Sequence, residues 1–152
     1  FIGSSMGSWI ALNLFQCFKK QIKGFIGISS APEFLEELMW KKFSKKIKKI
    51  IITNKIHNFE HSGFSYPITK QLIFDGKKNK VLNNKINLNI PIILFHGLKD
   101  KVVPLKFSRQ ILKICKKSKK KLIKIKSGDH SLSRKSDLKK ICNELNYIIK
   151  NL

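Results

Sequence analysis

The sequence predicts an α/β fold: a parallel sheet flanked by helices, with a helical cap inserted between two of its strands. Three observations lead there. Short apolar, β-rich runs recur along the chain, amphipathic helical patterns lie between them, and a glycine–serine turn joins a strand end to an apolar helix. Phe1-Ile2 reads as that strand end, and residues 5–20 as the helix, with Trp9, Ile10, Leu12, Leu14 and Phe15 buried before Lys19-Lys20. Residues 23–29 (KGFIGIS) form a second strand running into the loop Ser-Ser-Ala-Pro. From 31 to 89 the periodicity loosens, with helical pieces near 33–49 and 68–75 and no convincing strand. So long an excursion between two strands reads as a cap or lid. Residues 90–96 (IPIILFH) are almost wholly apolar, as in a strand covered on both faces. A helix over 104–117 opens on Pro104 and turns Phe107, Ile111, Leu112, Ile114 and Cys115 to one side. Residues 121–126 (KLIKIK) alternate, which suits an edge strand with one wet face. A last helix spans 135–150 through Leu138, Ile141, Cys142, Leu145 and Ile148-Ile149.

The 152 residues allow one domain of ordinary size, and a hydrophobic content of 42% can fill its core. The opening FIGSSMG has no starting Met and reads as the tail of a strand. The expectation is therefore a C-terminal part of one domain, residues 1–152, with 31–89 as cap and the first sheet strands missing. No apolar run reaches the roughly eighteen residues that span a bilayer.

Thirty-two Lys+Arg stand against 9 Asp+Glu, a formal charge of +23, which suggests nucleic acid or an anionic surface as partner. Yet only Arg109 and Arg134 are arginines, and nucleic-acid readers lean on the arginine fork. Lys, Ile and Asn rise together, which fits a drift of composition rather than a binding surface. A Lys-rich binding module without catalysis is the alternative reading. Cys17, Cys115 and Cys142 are odd in number and widely spaced, so reduced, buried thiols in an intracellular protein are expected.

Gly3-Ser4-Ser5-Met6-Gly7 matches G-x-S-x-G in a strand–turn–helix setting, where a strained turn lifts the central hydroxyl above the sheet. Side chains at either glycine are expected to collide with the neighbouring strand or helix. A serine nucleophile needs a base, and the base needs an orienting carboxylate. Asp100 follows the strand 90–96 and His130 follows the strand 121–126, both at C-terminal strand ends. The order Ser5, Asp100, His130 is that of α/β-hydrolases. Ser5 is the candidate nucleophile, His130 the base and Asp100 the acid. The backbone N–H of Met6, at a helix N-terminus, is a candidate oxyanion donor.

Other residues read more plainly. Asp129 adjoins His130 and suits a loop-fixing carboxylate, Ser4 suits a structural role, and His96 suits buried support. His57 and His61 lie four apart without a third ligand nearby, so lid packing or solvation is preferred over a metal site. Met39 and Trp40 are candidates to line an acyl pocket.

GSSMGSW (3–9), SSAPEFLEELMW (29–40), YPITKQLIFDGKK (66–78), HGLKDKVVP (96–104) and SGDHSLSRKSDL (127–138) together resemble one group of α/β-hydrolases. These are bacterial serine hydrolases similar to the mitochondrial abhydrolase palmitoyl-protein thioesterase. The resemblance implies hydrolysis of acyl esters and thioesters, including S-acylated cysteines and acyl glucuronides, with no metal or organic cofactor. It implies the same roles for Ser5, Asp100 and His130, a cap over 31–89, and a bacterial cytoplasmic setting. The second glycine often seen after such an elbow is Ser8 here.

Overall fold

Strand β5 (Pro91–Gly97) is the most buried element of the chain, as its unbroken apolar run demands. A computed structural model describes residues 1–61 and 63–151. Around β5 a four-stranded parallel sheet assembles in the order β1-β2-β5-β6, from β1 (Ile2–Ser4), β2 (Phe25–Ile28) and β6 (Lys119–Ile125). The register pairs Gly3 with Gly27, Gly27 with Leu94, and Leu94 with Leu122. Beside β5, β6 keeps its lysines exposed and turns Ile125 inward, as its alternation predicts. Lysines on an outer strand also oppose pairing with another chain.

Alternate residues of β5 serve opposite faces. Ile93 and Phe95 join Ile26, Ile125 and Leu132 in a core closed by Ile141 and Ile148 of α5 (Lys135–Lys150). On the other face His96 meets Ser108 of α4 (Lys106–Ile114), whose Phe107 and Ile111 are buried. Helix α1 (Met6–Leu14) buries Ser8, Trp9, Ala11 and Leu12. It ends earlier than the sequence suggests, and Ile10 and Leu14 lie on its exposed side at 50% and 38%. Their spacing puts them on the stripe opposite Ser8 and Leu12, so hydrophobicity alone overstated the buried face.

Glu33–Lys80 forms a second compact unit, while Phe1–Pro32 and Val81–Leu152 form the first. The second unit starts with a π-helical turn (Leu35–Met39) and a 3-10 turn (Trp40–Lys42). Helix α2 (Lys45–Asn54) follows, begun by the Ser44 hydroxyl, which accepts from the Ile47 N–H at 3.2 Å. Helix α3 (Lys70–Lys78) is capped in the same way by Thr69.

Between them lies an antiparallel hairpin, β3 (Ile56–His61) and β4 (Phe64–Thr69), where the sequence offered no strand. A two-stranded ribbon needs only one modestly apolar face, and here His57, Phe59 and Ile68 supply it. Pro67 removes one N–H, which a ribbon made of two edges tolerates. The unit has its own core of Phe43, Ile51, Ile68 and Ile73.

Candidate active site

The elbow is built from backbone constraints. Ser5 adopts φ 49 and ψ −117, a conformation costly for a residue with a side chain. Its surroundings enforce it: the Ser5 N–H donates to the Ile28 carbonyl at 2.8 Å, and its carbonyl accepts from the Ala31 N–H at 3.2 Å. A Cβ on Gly3 would lie 2.6 Å from the Gly7 carbonyl group, so strand and helix approach too closely there for any side chain. Gly7 differs from expectation, because a Cβ there meets nothing within 4 Å. Its helix turns that position outward, away from the strand.

Ser8 has a use that sequence reading missed. Its fully buried hydroxyl donates to the Gly3 carbonyl and receives the Ser30 hydroxyl at 2.9 Å, tying the elbow to the end of β2.

Three candidates meet in one hydrogen-bonded chain. His130 Nε2 lies 3.1 Å from Ser5 Oγ, and His130 Nδ1 lies 2.9 Å from Asp100 Oδ2. A carboxylate only accepts, so the proton belongs on Nδ1 and Nε2 is free to accept the serine O–H. The Asp100 side chain is fully buried, and its Oδ1 accepts from the N–H groups of Val102 and Val103, both at 2.8 Å. Asp129 points to its own loop instead, where Oδ1 accepts from Ser131 at 3.1 Å and Leu132 at 3.0 Å. Met6 is the first residue of α1, next to Ser5, where helical N–H groups lack intrahelical partners.

The loops bearing Asp100 and His130 brace each other. The Lys99 N–H donates to the Gly128 carbonyl at 2.8 Å, and the Leu98 N–H to the Ile125 carbonyl at 2.9 Å. A Cβ on Gly97 would stand 2.3 Å from the Asp129 carbonyl oxygen. Beyond His130, Arg134 grips both oxygens of Asp137 and reaches the Ser127 hydroxyl at 2.9 Å.

His96 is buried against Ser108 and the Val103 carbonyl. Met39 and Trp40 pack against the core of the second unit, and the Trp40 ring faces the ammonium groups of Lys48 at 5.8 Å and Lys77 at 5.3 Å. His57 stands edge-on to Phe43 with ring centroids 6.3 Å apart, and the side chain of His61 lies outside the described ones. Among the described residues no cluster of three His, Cys, Asp or Glu side chains is placed to hold a metal ion.

The model of the family described as serine hydrolase (FSH1) matches residues 1–141. The chain belongs to this family.

Its curated relatives include the human mitochondrial palmitoyl-protein thioesterase ABHD10, 24% identical over 155 aligned positions. That alignment takes in 99% of this chain and 50% of the relative, so this FSH1-family chain spans about half the length of the curated relatives it matches. Among solved structures, one from Agrobacterium vitis S4 described as a hydrolase shares 28% identity with a TM-score of 0.89, covering 97% of this chain and 60% of that one. Mouse alpha/beta hydrolase domain-containing protein 10 superposes with a TM-score of 0.84 at 22% identity, covering 99% and 61%. The neighbours fix the fold as that of the α/β-hydrolases. No helix of the described residues is long and apolar enough to cross a membrane.

Proposed function

We propose that this FSH1-family chain carries the reacting groups of an enzyme that cleaves carboxylic esters or thioesters through an acyl-serine intermediate. The supporting observation is the His130 ring, which bridges Ser5 Oγ at 3.1 Å and Asp100 Oδ2 at 2.9 Å. His130 Nε2 takes the Ser5 proton as Oγ attacks the acyl carbonyl. The negative charge that develops on the carbonyl oxygen is met by the Met6 N–H at the start of α1. Collapse of the tetrahedral adduct expels the alcohol or thiol, which receives the proton from His130. Asp100 holds the ring and stabilises the imidazolium throughout. Water then attacks the acyl-serine by the same route, releasing the acid and restoring Ser5.

Acyl thioesters on protein cysteines are the substrates this reading favours, in keeping with the thioesterase name of the curated relatives, and acyl glucuronides are a second class to test. Met39 and Trp40 are the first residues to vary in a test of acyl-chain selectivity. Cys17 and Cys142 are exposed where the sequence suggested buried thiols, and only Cys115 is buried; a reducing cytoplasmic setting is part of this proposal.

The test is labelling of the intact protein with an alkyl fluorophosphonate, alongside turnover of a p-nitrophenyl ester. Ser5→Ala and His130→Ala are each expected to lower kcat by roughly 10⁴–10⁶. Asp100→Asn is expected to cost about 10⁴, because it upsets the His130 tautomer, while Asp129→Asn stays within about tenfold. The reverse ranking of the two aspartates would move the acid to Asp129. Salt-sensitive polyanion binding that survives Ser5→Ala, with no labelling, would favour the Lys-rich binding module.

A further inference from the structure

His96 ends β5 with 1% of its surface exposed, and the reaction just described gives it no task. Its contacts define its state. Burial holds its pKa below the ordinary histidine value, an effect that the Val103 carbonyl and Asp100 partly oppose, so the ring is neutral. A neutral imidazole has one donor and one acceptor. The Val103 oxygen, 3.0 Å from Nε2, can only accept, so Nε2 carries the proton. Nδ1 therefore accepts from the Ser108 hydroxyl at 2.9 Å. Nε2 also lies 3.8 Å from Asp100 Oδ2, the oxygen that His130 contacts.

Val103 is thus held from both sides: its N–H donates to Asp100 Oδ1 at 2.8 Å and its carbonyl accepts from His96. A buried imidazole must satisfy its ring nitrogens in any case, so the feature that bears on Asp100 is that the Nε2–H is spent on the residue whose N–H holds the carboxylate. We propose that His96 is a positioning residue for Asp100: its Nε2–H holds the Val103 carbonyl and so fixes the 100–103 turn that carries the carboxylate, and Ser108 sets its ring. The inference rests on reading Ser5, Asp100 and His130 as the reacting set. It extends the line of contacts from the half-buried Ser5 through two imidazoles to a helix on the far face of β5.

The test measures kcat and KM for p-nitrophenyl butyrate, with thermal midpoints, in the intact protein and in His96→Phe, His96→Gln, Ser108→Ala and Ser5→Ala. Phe keeps the volume and removes the donor, whereas Gln keeps an N–H near the Nε2 position. A carboxylate displaced by a fraction of an ångström lowers turnover, so His96→Phe is expected to lose about 10² in kcat. KM stays within about threefold, and Gln recovers about tenfold of the loss. Ser108→Ala is expected to lower kcat by roughly tenfold, since the ring then loses one of two anchors.

The positioning role is overturned if His96→Phe keeps kcat within about threefold of the parent while Ser5→Ala is dead. It is equally overturned if Phe and Gln are slowed alike, which marks a purely structural ring. Ser5→Ala retaining parental turnover brings down the catalytic reading itself, and the two failures are told apart by that control. Should His96→Phe not fold, Ser108→Ala decides: kcat within about twofold of the parent overturns the proposal.

Discussion

Gly97 and Gly7 look alike in the sequence, each within a few positions of Asp100 or Ser5, yet they stand in opposite surroundings. A Cβ at Gly97 would lie 2.3 Å from the Asp129 carbonyl oxygen and 2.4 Å from that of Gly128, both rigid backbone. One of the two loops must move, and they carry Asp100 and His130. Gly97→Ala is expected to cost about 1–3 kcal/mol in denaturant unfolding and to abolish fluorophosphonate labelling. Gly7→Ala is expected to keep labelling and to gain up to about 1 kcal/mol, because its Cβ meets nothing and alanine favours the helix. The cysteines divide in the same way. Burial pushes the Cys115 thiol up to about 11, while Cys17 and Cys142 are exposed. Native protein treated with iodoacetamide near pH 8 is expected to show carbamidomethyl groups at Cys17 and Cys142 and none at Cys115 by peptide mass mapping, since the thiolate is the reactive form. The nearness of Ser5, Asp100 and His130 could be expected from sequence because each follows a strand end. The Ser8–Ser30 tie and the His96–Ser108 contact could not, since neither pair is near in sequence and serine alone announces no partner.

At the scale of elements, legibility followed burial. The β5 run is apolar up to His96 because helices cover both of its faces, and β2 is almost as plain. The hairpin of β3 and β4 hid behind Asn58, Glu60 and Pro67, since a ribbon exposed along both edges imposes little on its residues. The helix expected near 33–49 divides at Phe43, which is extended at φ −65 and ψ 139, and restarts under Ser44. Capping rather than hydrophobic period set that boundary. Ser44→Ala and Thr69→Ala are each expected to destabilise by about 1 kcal/mol, because each removes the acceptor for a first-turn N–H of its helix. Urea unfolding curves followed by the circular dichroism of the two variants measure it.

Over the whole molecule, acid stability depends on groups in different layers. His96, facing Ser108, Val103, Asp100 and His130, is held below its ordinary value of 6.5 by burial. The unfolded chain therefore binds this proton first, and stability present above that value is lost as pH falls below it. Asp137 is held below 3.8 by Arg134, so its contribution is present above that value and lost as pH falls further. The thermal midpoint is expected to decline in two stages on acidification, the upper stage absent in His96→Gln and the lower one weakened in Arg134→Gln. Scanning calorimetry across this range tests both. The division of the chain has a different consequence, in time rather than in equilibrium. Strands β2 and β5 are sheet neighbours, yet all of Glu33–Lys80 lies between them in the chain. Closing so long a loop from an open coil costs entropy before any strand pairing repays it. A segment that collapses early on its own core of Phe43, Ile51, Ile68 and Ile73 shortens the tether, and it leaves the ribosome before β5 is made. Substitutions that weaken the core of the smaller unit are therefore expected to slow the refolding of the larger one, read by stopped-flow fluorescence.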